Sequence, residues 1–294
     1  LIGARVVQAL GGCSGLVLGR AVIRDVCEPQ EAAGQLAWLN MFMSLGPASA
    51  SVIGGLLAAY ISWRAIFGLL AAIGVVTLLS AIAILPETNR ETGAAHGGSL
   101  LRINLRLLRL PAFRVYTLVG ACSTTSFYAF LTAAPFIFTV TLHQGQAEMS
   151  FYFIAPMLGY SIGSLLANRL VKRMGVDRLL LLGLWITLAG AAAFFLVTVA
   201  GQLSVVAVLA SMLLFTIGGG ICSPMALSGA MAVLPGATGA AAGLYGFVQM
   251  AYGALCTWAV GLYGANPALS AGSIMLVSLL VSLAAWLLGN RREV

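Results

Sequence analysis

Apolar positions along this chain neither alternate nor fall on a single helical stripe. They form runs of about 20 residues separated by short polar stretches, the length an α-helix needs to cross roughly 30 Å of hydrocarbon. Windows of that size mark nine candidate spans, at about 1–19, 34–59, 65–85, 114–140, 150–168, 179–199, 203–223, 238–262 and 268–289. Unpaired backbone amides are costly in lipid, and the runs are too long and too uniformly apolar for barrel strands, so the pattern predicts helices. The fold class it implies is an all-α membrane protein with nine transmembrane helices.

Composition agrees. Hydrophobic residues make up 61% of the 294 and charged residues 8%, whereas a soluble domain carries about 25% charged residues. So few charges cannot build a water-facing surface, and the outer face must meet the lipid bilayer. Leu1 opens inside an apolar run, with no charged n-region and no small-residue cleavage site, so the start does not read as a signal peptide and the natural N-terminus is expected upstream. The five cysteines are odd in number, lie mostly in apolar runs and never form CxxC. They read as packing residues, and neither a metal nor a cofactor is expected.

The net charge of +7 raises nucleic acid as a partner, and the positions of the basic residues argue against it. Thirteen of the fifteen, from Arg20 and Arg24 to Arg291 and Arg292, fall in alternate loops; the other loops hold Arg64, and Arg5 lies within a span. This is a topology signal. It places those loops in the cytoplasm, Leu1 outside and the C-terminus inside a cell (inner) membrane.

The longest connection, "PETNRETGAAHGGSLLRINLRLLRLPAFR", separates three spans from six. It predicts a three-helix segment over 1–85, a cytoplasmic linker over 86–113 and a six-helix bundle over 114–294; three further spans at the front would make six plus six. Arg102, Arg106 and Arg109 recur at helical spacing among leucines, either as a helix on the membrane surface or as a solvated connector. An offset of 209 aligns "AAGQLAWLNM" with "AAGLYGFVQM" and sets Gly11 on Gly220 and Asn40 on Gln249. One register over some thirty residues points to duplication, as parallel halves of a transporter require.

Enzyme signatures are absent: there is no GxxxxGK[ST], and the two histidines, His96 and His143, lie far apart in loops. All eight acids fall at or beyond span ends. Catalysis is therefore not expected. A guanidinium at the bilayer centre costs about 2.5–3.5 kcal/mol on insertion scales, so Arg5 either faces a watery crevice beside Gln8, on the same helical face, or snorkels to the nearby surface. Gly11, Gly15 and Gly19 suit close helix approach, and Pro47 with Gly54 and Gly55 loosens the second span, with or without a part in conformational change. "CSTTSFYAFLTAAPFIF" sets Phe127, Tyr128 and Phe130 beside hydroxyls and is expected to break at Pro135. Such a segment suits a cavity for an amphipathic organic solute, although any single ring serves equally as packing. Gln249 and Tyr252 are further interior polar candidates. In "NRLVKRMGVDR", Gly175 reads as a helix stop and Asp177 as the cap of the next helix.

At this point the chain resembles the major facilitator superfamily, and within it the twelve-helix drug-proton antiporters of the Bcr/CflA type. "RVVQALGG" (Arg5, Gln8, Gly11, Gly12) looks like the fourth-helix motif, followed by "RDV" with Asp25; "GPASASVIGG" is similar to the fifth-helix antiporter motif through Gly46, Pro47, Gly54 and Gly55. The likeness covers essentially the whole chain as helices four to twelve. It implies a monomeric, proton-coupled exporter of drugs or other small organic compounds working by alternating access. Arg5, Gln8 and Asp25 would then couple protons, the kinked fifth helix would shape the pathway, and Asn40, Phe127, Tyr128, Phe130, Gln249 and Tyr252 would line the substrate cavity. A proton-coupled uptake symporter for a metabolite is the alternative on the same scaffold.

Overall fold

The computed structural model describes residues 3–12, 15, 46, 49–50, 53–58, 60–84, 100–234, 237–262 and 266–290. They fall into two compact units, Leu1–His96 and Gly97–Val294. In the first unit, residues 3–12 and 53–58 are helical and α1 spans Trp63–Ile84.

The second unit is a bundle. It contains α2 (Leu100–Arg109), α3 (Pro111–Thr125), α4 (Phe127–Pro135), a π-helical segment (Phe136–Thr141), α5 (Gln146–Tyr152), α6 (Ile154–Met174), α7 (Val176–Val199), α8 (Val205–Ala232), α9 (Thr238–Leu262) and α10 (Pro267–Asn290). Helix starts follow local chemistry. Pro111 and Pro267 occupy first-turn positions where no amide donor is needed. Ser204 caps α8 by accepting from the Ala207 amide at 3.2 Å, and Asn266 Oδ1 accepts from the Leu269 amide at 3.2 Å.

Five of the described apolar stretches are long and apolar enough to cross a membrane: Trp63–Ile84, Pro111–Thr141, Val176–Val199, Val205–Ala232 and Pro267–Gly289. α6 and α9 have 21 and 25 residues and carry more polar side chains.

α8 is the hub, packed on α6, α7 and α3, while α9 lies against α3 and α4 and α10 against α7 and α3. Glycines allow the approach. A Cβ on Gly163 would collide with the Ile217 carbonyl, one on Gly220 with the Tyr160 carbonyl, and one on Gly218 with Thr187. Backbone therefore meets backbone, as small residues permit in membranes. Among the described residues, this close packing is that of α6, α7 and α8.

Three sequence expectations need correcting. The helix does not break at Pro135: it passes into π-helix there, and the Leu142 amide bonds the Ile137 carbonyl five residues back at 3.0 Å. The interruption falls at Ser126, where the hydroxyl row bonds back to its own helix. Ser123, Thr125 and Ser126 donate to the carbonyls of Val119, Ala121 and Cys122 at 2.7, 2.7 and 2.6 Å, a pattern that bends helices. Asp177 is not the cap of α7. Gly175, at φ 76°, ends α6 and begins α7, and Asp177 sits in the first turn, where it accepts from the Tyr116 hydroxyl at 2.6 Å. Lastly, α8 runs through Pro224 to Ala232 and does not stop near 223, since neighbouring helices tolerate a proline there.

Candidate functional site

Two side-chain bridges tie α9 to its neighbours in the second unit. Gln249 Nε2 on α9 donates to Thr124 Oγ1 on α3 at 2.6 Å, and the Thr124 hydroxyl in turn donates to the Gly120 carbonyl at 2.6 Å. One turn along α9, the Tyr252 and Ser278 hydroxyls share a hydrogen bond of 2.6 Å, and Ser278 donates onward to the Ile274 carbonyl. All four side chains are at least partly buried, and partnership removes most of the cost of burying them.

Beside these bridges Tyr128 stands 38% exposed, with its hydroxyl 4.0 Å from Met250 Sδ. Its ring lies directly over Gly253, where a Cβ would meet Tyr128 Cδ2 at 2.8 Å. The result is a patch with amide and hydroxyl groups, an aromatic face and a polarizable thioether. Of the apolar windows 114–140, 150–168, 179–199, 203–223, 238–262 and 268–289, the first holds Arg114 at its start, and they hold no other Asp, Glu, Lys, Arg or His. Such a surface suits an uncharged or weakly polar organic molecule.

The aromatic candidates separate. Phe130 is 1% exposed and meets Phe138, Phe153 and Phe194 edge-on at centroid distances of 6.5, 6.5 and 5.8 Å. Phe127 is half-buried and stacks on Phe215 at 6.0 Å. Both belong to the packing of the bundle, each such pair contributing about 0.5–1.5 kcal/mol beyond area. Tyr128, Gln249 and Tyr252 remain at the patch. Thr124, Met250 and Ser278 join them without having been singled out as site residues: the sequence marked Thr124 only as one of four hydroxyls, and nothing in it set Ser278 apart.

In the first unit the Arg5 guanidinium Nη1 donates to Gln8 Oε1, three residues on, at 2.7 Å. The guanidinium also lies 5.2 Å from the Phe67 ring centroid on α1, a cation–π contact. Both Arg5 and Gln8 are exposed within this unit. Gly46, Gly54 and Gly55 are helical. Asp25, Asn40 and Pro47 lie outside the described residues. Among the described residues, no three His, Cys, Asp or Glu side chains gather in a way that would hold a metal ion.

Residues 1–257 match the Major Facilitator Superfamily. The chain belongs to that family. It is therefore a multi-pass membrane protein built as an all-α bundle, from a family whose business is transport and not catalysis. An uncharacterized transporter of Rickettsia felis is 26% identical over 269 residues, which cover 87% of this chain and 66% of that protein. Multidrug resistance protein D of Escherichia coli K12 is 28% identical over 249 residues, 85% of this chain and 62% of that protein. In fold, the chain is similar to a bacterial homologue of the iron transporter ferroportin in its inward-facing state, with a TM-score of 0.65 at 13% identity over 92% of this chain and 66% of that one. This superfamily member thus spans a little under two thirds of the length of each of these three proteins.

Proposed function

We propose that this chain forms part of a proton-coupled exporter of drugs or other small organic compounds, acting in a cell (inner) membrane by alternating access with its C-terminus in the cytoplasm. The observation that carries the reading is the charge-free patch of Thr124, Tyr128, Gln249, Met250 and Tyr252. It offers hydrogen bonds and an aromatic face but no fixed charge, which is what a lipophilic solute with a few polar atoms requires. A relative whose name records multidrug resistance supports the same direction. Arg5, held by Gln8 and Phe67, is the group we place in proton coupling, together with Asp25; the helix with Gly46, Pro47, Gly54 and Gly55 shapes the pathway.

The test uses the full-length protein in proteoliposomes. A drug gradient should drive protons in the opposite direction, and Arg5→Ala should abolish that movement while the protein still inserts. Drug-driven proton flux unchanged in Arg5→Ala would refute the role of Arg5. Counterflow of a labelled nutrient, with none of a labelled drug, would replace export by uptake.

A further inference from the structure

A cleft of about 720 Å³ opens on the second unit, away from the patch, between the first turns of α3 and the last turns of α10. Its walls are aliphatic: Leu110, Val115 and Leu118 on one side, Leu288 and Gly289 on the other, with Val233 at the end of α8. The back is aromatic and fixed. Trp286 is 4% exposed and meets Tyr116 edge-on at 5.6 Å. The Tyr116 hydroxyl is held by Asp177, and its ring covers Gly229, where a Cβ would collide with it.

The mouth has the opposite character. Arg114 lines it and is exposed. Arg109 immediately precedes Leu110, and Arg106 lies one turn earlier; both are exposed on α2, which packs on α3. In sequence, Arg291 and Arg292 follow α10 directly. The described acid at this end, Asp177, is already engaged by Tyr116.

We propose that this cleft is a seat for an anionic phospholipid, with an acyl chain along the aliphatic walls and the phosphate at Arg114. The site lies at the ends of membrane spans, where headgroups and chains meet, and it pairs a basic rim with an apolar trough. A zwitterionic lipid would bring a cationic headgroup against the arginines. Each arginine near a membrane surface adds roughly fivefold to the affinity for acidic lipid.

The full-length protein, reconstituted with every tryptophan but Trp286 replaced by Phe (Trp38, Trp63, Trp185 and Trp258 among them), tests the seat by fluorescence quenching. Brominated phosphatidylglycerol should quench more strongly than brominated phosphatidylcholine at equal mole fraction. Arg114→Gln should remove most of the difference, lowering apparent affinity about fivefold, and Ala285→Phe, which narrows the trough, should weaken quenching by both lipids. Equal quenching, a preference unchanged in Arg114→Gln, or no quenching by either lipid, as when a protein segment fills the cleft, would overturn the proposal. Native mass spectrometry of the wild type and of Arg114→Gln in mixed lipid gives the same decision without the tryptophan replacements: retained phosphatidylglycerol that falls in the variant supports the seat, and equal retention refutes it.

Discussion

Two tyrosines seven residues apart on α9 occupy opposite situations. Tyr252 shares its hydroxyl with Ser278, whereas the Tyr245 hydroxyl is buried, its residue 3% exposed, with no hydrogen-bond partner among the described residues. A typical intramolecular hydrogen bond contributes about 0.5–1.5 kcal/mol, and a buried hydroxyl left alone costs a comparable amount. Tyr252→Phe should therefore lower the melting temperature of the purified full-length protein, and Tyr245→Phe should leave it unchanged or raise it. Equal losses would mean that Tyr245 has a partner, such as a bound water. Gly163 belongs to the same scale. A methyl group there would first meet rigid backbone, the Ile217 carbonyl and Gly220 Cα, so Gly163→Ala should destabilise by about 1–3 kcal/mol, read as a fall in melting temperature. The same change at Gly175 is governed by its positive φ and not by crowding, since nothing lies within 4 Å of a Cβ there.

Helices α3 and α4 with the π-helical turn show which properties of an element its residues declare. That residues 114–140 would form one long apolar rod was legible from hydropathy alone, and the described stretch runs Pro111–Thr141. Where the rod changes character was not. Pro135 is the obvious breaker, yet the lost donor is absorbed by a π-helical register, while hydroxyls bonding their own carbonyls interrupt the rod at Ser126. Those bonds depend on rotamers that spacing does not reveal. The four hydroxyls are also employed differently, since Thr124 accepts from Gln249 whereas Thr125 is satisfied by Ala121. If the patch receives solute as proposed, Thr124→Val should raise the KM for transported drug about three- to tenfold, the loss of one hydrogen bond, and Thr125→Val should leave it unchanged. Similar effects of the two would remove the bridge from the transport pathway.

At the scale of the molecule, the run lengths declared the helical bundle and its membrane, because both follow from the average environment of some twenty residues. Individual partners did not follow, since they depend on how helices rotate against one another: Phe130 and Tyr128, two residues apart, ended in core and patch. Orientation rests on the basic loops. A cysteine placed at Arg173 should react with membrane-impermeant reagent only from the cytoplasmic side, and one at Gln202, at the far end of α7, only from outside; the reverse pattern would invert the topology. The uncharged interior of the second unit has an electrical consequence. Each elementary charge carried across the membrane exchanges about 2.3 kcal/mol with every 100 mV, but, Arg114 at one end aside, the apolar windows around Gln249 and Tyr252 carry none. Tilting of these helices therefore moves little side-chain charge through the field, and transient currents evoked by a neutral solute should shrink when the charges of the other half are removed.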